Sequence, residues 1–201
     1  MASQLLNLFR TLSWSDFPTR QASAPGPNAP PADAAATLVN VLPSGLSLAG
    51  SPPNLQLADT ITVTIAFDGV NSYKNSWVMT MPQAFQDNML VHEQGHYNLT
   101  ALLARDFFLQ LMAMKANTYA TAAAMQADLN AAQAATVARS QEISDDYDTA
   151  TSHGADATGQ ATWNGYITTA FNQAASPPQT AADGTPIKVK LIDVLTNAGA
   201  I

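Results

Sequence analysis

The sequence predicts an α+β fold in which a small antiparallel or mixed sheet packs on a long helix and an antiparallel partner helix. Three observations support this. Predicted strands come first along the chain and predicted helices follow, an order that favours α+β over a βαβ array. Residues 60–67 alternate apolar and threonine side chains. Two long helical segments fill the second half. The 201 residues fit a single domain, 1–201, that is large enough to bury a core.

The predicted strands cover residues 37–42, 60–67, 76–81 and 187–191. The second is the clearest, because its run is largely β-branched. Pro82 ends the third, since proline removes a ladder donor and favours a helix start. A Pro-rich loop at 18–31 carries five of the twelve prolines and is expected to be extended, namely Pro18, Pro25, Pro27, Pro30 and Pro31.

The predicted helices cover residues 82–115, 122–152 and 157–172. A break is expected at 116–121, with Thr121 as the N-cap of the second helix. Gly154 is a natural C-terminal stop for that helix. Pro177 and Pro178 are expected to close the third helix.

Composition excludes several classes of function. The chain is 47% hydrophobic and 11% charged, which argues against disorder. No basic run suggests nucleic-acid binding, and no apolar stretch reaches membrane-spanning length. Cysteine is absent, so disulfides and thiolate ligands are excluded. Residues 1–14 lack the marks of an export leader, so any leader of an exported form is expected to lie outside this chain.

Residues 92–96 read His-Glu-Gln-Gly-His, the pattern H-E-x-x-H. On a helix, His92 and His96 lie one above the other and can bind a single Zn²⁺. Glu93 is then placed to take a proton from the zinc-bound water. The chain has only three histidines, so chance occurrence of the motif is rare. Two polar residues at a helix–sheet contact are the alternative, but both histidines fall on the apolar face, where unpaired imidazoles are costly.

A catalytic zinc normally has three protein ligands. The candidates for the third are His153, Glu142 and an aspartate, which is Asp145, Asp146 or Asp148. If the two long helices pair antiparallel about residue 118, position 142 lies level with 94. Straight helices then favour Glu142 and place His153 roughly 15 Å too far along.

A resemblance bears on this choice. Residues 147–154 read Y-D-T-A-T-S-H-G and are followed by Gln160 and Trp163. This run resembles the Y-D-x-x-T-x-H-G element of a bacterial family described as predicted secreted zinc-dependent proteases, a domain of unknown function in the zincin clan. The segments L-S-W-S-D-F at 12–17, S-W-V at 76–78 and V-H-E-Q-G-H at 91–96 are also similar, so the likeness covers about 12–165. It implies a zincin-like fold, secretion, and His153 as a site residue.

These observations together predict a zinc metallopeptidase. Zn²⁺ would be held by His92, His96 and His153, with Glu93 as general base and the Tyr147 hydroxyl helping to stabilise the oxyanion. Core packing would equally explain Tyr147. The rival functions are a catalytically idle zinc domain that binds a peptide or partner, and an enzyme acting on a non-peptide amide. A peptide substrate is expected to lie along residues 75–80 as an added edge strand, unless 76–81 is an interior strand paired on both sides.

Overall fold

The structure is a computed structural model that describes residues 3–23, 34–58, 60–175 and 187–201. Most of the predicted Pro-rich loop, from Pro25 to Pro31, lies outside the described residues, as do Pro177 and Pro178. Within them the chain forms small sheets and four α-helices, which confirms the predicted α+β class.

The strands are short and belong to three small sheets. They are β1 (Gln4–Leu6), β2 (Thr19–Arg20), β3 (Ala35–Ala36), β4 (Val39–Ser44), β5 (Leu48–Ala49), β6 (Gln56–Leu57), β7 (Thr62–Phe67) and β8 (Tyr73–Asn75). The first sheet has the order β1-β7-β4 and is mixed, because β1 is parallel and β4 antiparallel to β7. The second has the order β2-β8-β3, and β5 pairs with β6. The strands predicted at 37–42 and 60–67 are thus present as β4 and β7.

The strand predicted at 76–81 is wrong, because Ser76–Thr80 is a 3-10 helix. Trp77 and the adjacent Val78 are both buried, whereas Met79 is 44% exposed. A strand puts neighbouring side chains on opposite faces, so it would bury this pair only if both of its faces were covered, whereas the 3-10 turn places both in the core. The substrate-binding edge predicted along 75–80 therefore does not exist in that form.

The strand predicted at 187–191 is also wrong. Only one antiparallel bridge forms there, between Lys188 and Ala174. Helix α4 (Leu191–Ala198) begins immediately afterwards, and the Leu191 N–H donates to Asp106 Oδ2 at 2.8 Å. A tertiary hydrogen bond to the neighbouring helix thus fixes a helix start where the local pattern suggested a strand.

The other helices follow the predicted bounds closely. They are α1 (Gln83–Met114), α2 (Ala122–Thr151) and α3 (Ala157–Asn172). Thr121 caps α2, since its side chain accepts from the Ala124 N–H. α2 ends at Ser152, and Ser152, His153 and Gly154 all have positive φ.

Helix α1 lies at the centre of the molecule and contributes to the core on opposite faces. Tyr97, Ala101 and Leu111 pack in a cluster with strand β7. Leu102 and other α1 residues pack in a second cluster with α2, α3 and α4. No helix among the described residues is long and apolar enough to span a membrane. Because α1 packs against the sheet in one cluster and against the other helices in a second, the surrounding core can hold its side chains in fixed positions.

Candidate metal centre

The two motif histidines lie side by side on α1, as the i, i+4 spacing predicts. Their Nε2 atoms are 3.2 Å apart. His92 is buried and His96 is partly buried. Both rings therefore turn the same nitrogen towards one point at the inner face of the helix.

Asp148 on α2 completes a triangle of donor atoms. Its Oδ1 lies 3.0 Å from His92 Nε2 and 3.0 Å from His96 Nε2. Zinc bonds of 2.0–2.1 Å in a tetrahedral site separate neighbouring donors by about 3.3 Å. Two imidazoles and a carboxylate are a donor set that zinc commonly uses. The three atoms thus fit a zinc ion after small outward shifts, and they are the group that the geometry of the described residues selects.

Hydrogen bonds on the far side of the rings set the histidine tautomers. The Thr151 hydroxyl donates to Tyr147 O at 2.7 Å. The Thr151 hydroxyl oxygen must then accept the hydrogen bond in its 3.2 Å contact with His92 Nδ1, so His92 Nδ1 carries the proton. His92 Nε2 is left free to act as a ligand. His96 Nδ1 has an equivalent neighbour, the Ser144 hydroxyl at 3.1 Å.

Charges at the centre favour the ionised aspartate. Burial by itself would raise the pKa of Asp148, but its close contacts with the His92 and His96 rings outweigh that effect and hold the pKa well below its usual range. Burial would lower the pKa of His96, whereas the bond to Asp148 and the charge of Glu93 raise it on balance. Both pKa shifts therefore favour the charged forms of Asp148 and His96, which lie 3.0 Å apart.

Glu93 is buried beside this cluster. Its Oε2 has no hydrogen-bond partner within the described part of the chain. Buried carboxylate oxygens are costly unless paired, and such an atom calls for an explanation. A reacting proton or a bound cation nearby would supply one.

Tyr147 supports His92 from behind. Its ring stacks on the His92 ring, with centroids 4.8 Å apart and planes 11° from parallel. Its hydroxyl donates to His92 O at 3.1 Å and accepts from Gln160 Nε2 at 2.6 Å. Burial raises the pKa of Tyr147, and Trp163 packs edge-on against its ring. The side chain thus lies in the core. It does not line the small cavity that opens onto His92, His96 and Asp148.

Two glycines make this packing possible. A Cβ at Gly95 would overlap the Tyr147 hydroxyl. A Cβ at Gly154 would come within 2.6 Å of Met89 and 2.8 Å of His92, at a φ of +82° that side chains rarely adopt. The glycine of H-E-x-G-H and the glycine of Y-D-x-x-T-x-H-G are therefore both required by contacts with the same few side chains.

His153 lies next to the triad and not within it. Its Nδ1 is 3.5 Å from Asp148 Oδ1, its side chain is 40% exposed, and its φ of 51° is left-handed. It lines the same small cavity as His92, Glu93, His96 and Asp148. The sequence analysis left Asp148 among three candidate aspartates, and the signal that could have singled it out is its place as the D of the Y-D-x-x-T-x-H-G run.

Glu142, the ligand favoured by straight-helix geometry, is 60% exposed and paired with Arg139 at 2.7 Å. The cause is the register of the two helices, in which Ser144 and Asp148 lie level with His96 and His92. This register is shifted by about one helical turn from a symmetric hairpin. The connection between the helices is not a symmetric turn, because Tyr119 is buried and bridges Leu55.

A cavity of about 200 Å³ opens onto the cluster. His92, Glu93 and His96 lie on the α1 side, and Asp148 and His153 lie opposite. Residues 35–37, at strand β3, form the rim. The strand that lines this cavity is therefore β3, together with the residue after it, and the predicted segment 75–80 does not line it.

Comparison with known proteins gives one family match. Residues 60–154 match the model of a family described as "Bacterial protein of unknown function (DUF922)". The matched segment contains His92, Glu93, His96, Asp148 and His153, and it ends at Gly154. The chain has no significant match among curated proteins or solved structures. From β7 to the end of the site, the chain is thus similar to a bacterial family of unknown function.

Proposed function

We propose that this protein is a zinc-dependent hydrolase of the H-E-x-x-H type, and that its substrates are peptides. The observation that carries the proposal is the triangle formed by His92 Nε2, His96 Nε2 and Asp148 Oδ1, with sides of 3.0–3.2 Å. Asp148 supplies the third ligand on this geometry. His153, which the sequence favours, is the alternative donor only 3.5 Å away.

Zinc held by these residues would act as a Lewis acid that polarises a substrate carbonyl and lowers the pKa of a water molecule. Glu93 takes the proton from that water, because its Oε2 is buried at the site and engaged by no other described group. The same carboxyl then returns the proton to the leaving amine. Glu93 thus serves as base first and as acid second.

Tyr147 and Thr151 act on the reaction through His92. The Tyr147 hydroxyl is engaged by His92 O and Gln160, so its contacts support a positioning role more than contact with an oxyanion. Thr151 holds the His92 tautomer. Their joint effect is to keep Nε2 of His92 aimed at the ion.

The choice of peptides rests on β3. This strand lies at the end of the sheet order β2-β8-β3 and pairs with β8 alone within the described residues. An edge strand presents unpaired N–H and C=O groups to which an extended peptide can add. Since residues 35–37 rim the metal cavity, a peptide added there would cross the zinc.

One observation favours a second function, a catalytically idle domain that binds peptides. Asp148 lies 3.0 Å from both His92 and His96 across the α1–α2 contact, where a salt bridge forms if a histidine is protonated. Such a triad could be structural. Glu93 separates the two functions, because an idle site has no use for a buried unpaired carboxylate.

The test compares the native protein with Glu93→Gln. Zinc content is measured by elemental analysis, and hydrolysis by mass spectrometry of an unfolded protein substrate such as reduced casein. We expect one zinc per chain in both proteins, and cleavage by the native protein alone. Zinc without any cleavage would favour the idle domain. Absence of zinc, or loss of zinc in Glu93→Gln, would overturn the assignment of ligands and base.

A further inference from the structure

A second, larger cavity lies directly beside the metal centre. This groove has a volume of about 400 Å³. Its floor is formed by Leu99, Leu103 and Phe107, which follow His96 along α1. Its residues include His96 and Ser144, which also line the metal cavity. The groove and the metal cavity therefore adjoin each other at His96 and Ser144.

Small residues on α2 create the groove. Thr136, Ser140 and Ser144 recur every four residues and so share one face of the helix, and all three line the groove. Further along α2, Ile143 and Tyr147 fill the space against α1 with large side chains. The side chains of Thr136, Ser140 and Ser144 are smaller than those of Ile143 and Tyr147, so they leave room between the two helices.

The opposite wall is the edge of a sheet. Residues 37–41 and Pro43 line the groove. Strand β4 is the last in the order β1-β7-β4 and pairs only with β7 in the described ranges. The backbone from β3 through β4 therefore runs as an edge from the metal cavity into the groove.

The groove has no place for a charged side chain. Among the described residues that line it, none is Asp, Glu, Lys or Arg, and His96 belongs to the metal centre. A charge buried there would lose hydration without gaining a partner. Leucine or phenylalanine side chains would instead cover the apolar floor.

We infer that this groove binds apolar side chains of an extended peptide substrate, on one side of the bond that is cut. The inference rests on the proposed function, because it uses the metal centre to locate the scissile bond. The groove extends from His96 in one direction along α1, so the preference applies to one side of that bond only. Alternate side chains of an extended peptide face the same way, so two or more can enter a groove of this size.

Binding can be measured without catalysis. Zinc-loaded Glu93→Gln protein is titrated with two ten-residue peptides in isothermal calorimetry. One alternates alanine and leucine, the other has serine in place of leucine, and both end in two extra lysines for solubility. We expect the leucine peptide to bind at least about 10-fold more tightly, since each buried leucine side chain gains apolar contact.

Two variants locate the binding. Val137 is 64% exposed and lines the groove, so Val137→Glu should fold normally and place a charge in its wall. Val70, 85% exposed and in a different part of the chain, gives the matched control Val70→Glu. Both are made in the Glu93→Gln background. We expect Val137→Glu to lose most of the leucine preference and to bind a third peptide, with lysine in place of leucine, more tightly than its parent. Val70→Glu should bind like its parent.

The outcomes separate the groove from the proposed function. Equal affinities for the leucine and serine peptides, or equal effects of the two glutamate variants, would overturn the inference. Cleavage products of the native protein provide a second readout. Products with no apolar preference on either side of the cut would keep the hydrolase and reject the groove. Leucine-dependent binding that requires Val137, without cleavage by the native protein, would keep the groove as a peptide site and reject the hydrolase.

Discussion

The ring of Tyr147 stacks on the ring of His92 and its hydroxyl donates to the carbonyl of the same residue. One side chain from α2 therefore fixes both the ring and the backbone of the first motif histidine. The residues of the Y-D-x-x-T-x-H-G run thus pack around the first histidine of H-E-x-G-H. Tyr147 and Thr151 contact His92 directly, and a Cβ at Gly154 would overlap it.

Phenylalanine at position 147 tests what the Tyr147 hydroxyl does. Tyr147→Phe keeps the stacked ring but removes the hydroxyl's hydrogen bonds to Gln160 and to the His92 carbonyl, which should cost about 1–3 kcal/mol in the free energy of unfolding. If the hydroxyl only positions His92, kcat/KM should fall by no more than about 10-fold. Loss of an oxyanion donor would instead cost about 100- to 1,000-fold in kcat. Thermal unfolding and peptide hydrolysis, measured on the same preparation, distinguish the two roles.

Asp148 should matter more for zinc binding than His153. Asp148→Asn removes the charge of the third donor, and we expect a larger loss of zinc affinity than in His153→Ala. A residue outside the ligand set typically costs about 10- to 100-fold. Glu142→Gln is the control, because Glu142 is exposed and paired with Arg139. Competition with a chelator of known affinity ranks the three variants. If His153→Ala lost the most, His153 would be the third ligand, as the sequence analysis expects.

Zinc should stabilise the folded protein. A ligand that binds only the native state raises the free energy of unfolding by about 2.7 kcal/mol when it is present at 100 times its Kd. We therefore expect the Tm of metal-free protein to rise when zinc is added, and the rise to disappear in His96→Ala. Calorimetry with and without a chelator measures both shifts. An equal rise in native protein and His96→Ala would mean that zinc binds elsewhere.

Gly95 should tolerate no side chain. Gly95→Ala introduces a Cβ that overlaps the Tyr147 hydroxyl, so Tyr147 must move away from His92. We expect destabilisation of about 1–3 kcal/mol, as for other overpacked core positions, and weaker zinc binding. Gly165, in the middle of α3, is the matched control because a Cβ there meets nothing within 4 Å.

Gly165→Ala should stabilise the protein by about 0.5–1 kcal/mol through its higher helix propensity. Chemical denaturation gives both free energies. A stabilising Gly95→Ala would show that Tyr147 does not need its present position. The change in the free energy of unfolding should thus be negative for Gly95→Ala and positive for Gly165→Ala. A general effect of alanine in helices would change both in the same direction.

The sequence by itself determined the elements whose signals are local. The spacing of His92 and His96 required a helix to bring them together, caps and breakers placed α1, α2 and α3 close to their observed bounds, and alternation placed β7. The Thr121 cap was also readable, because capping depends on residues within one turn. Segments 76–81 and 187–191 were misread since their local patterns suit a strand, whereas burial of Trp77 with Val78 and a bond from Leu191 to Asp106 decide otherwise.

Only the tertiary structure decided which residue joins the two histidines. Asp145, Asp146 and Asp148 were all candidates, although only Asp148 lies in the Y-D-x-x-T-x-H-G run, and Glu142 had the better estimate of height along a symmetric hairpin. The choice depends on the register of α2 against α1, which is set by the buried Tyr119 in the connection and by Tyr147 packing onto Gly95. A shift of about four residues moves Glu142 along the helix past the two histidines and brings Asp148 level with His92. Such a shift follows from contacts between residues far apart in the chain, so no local pattern records it.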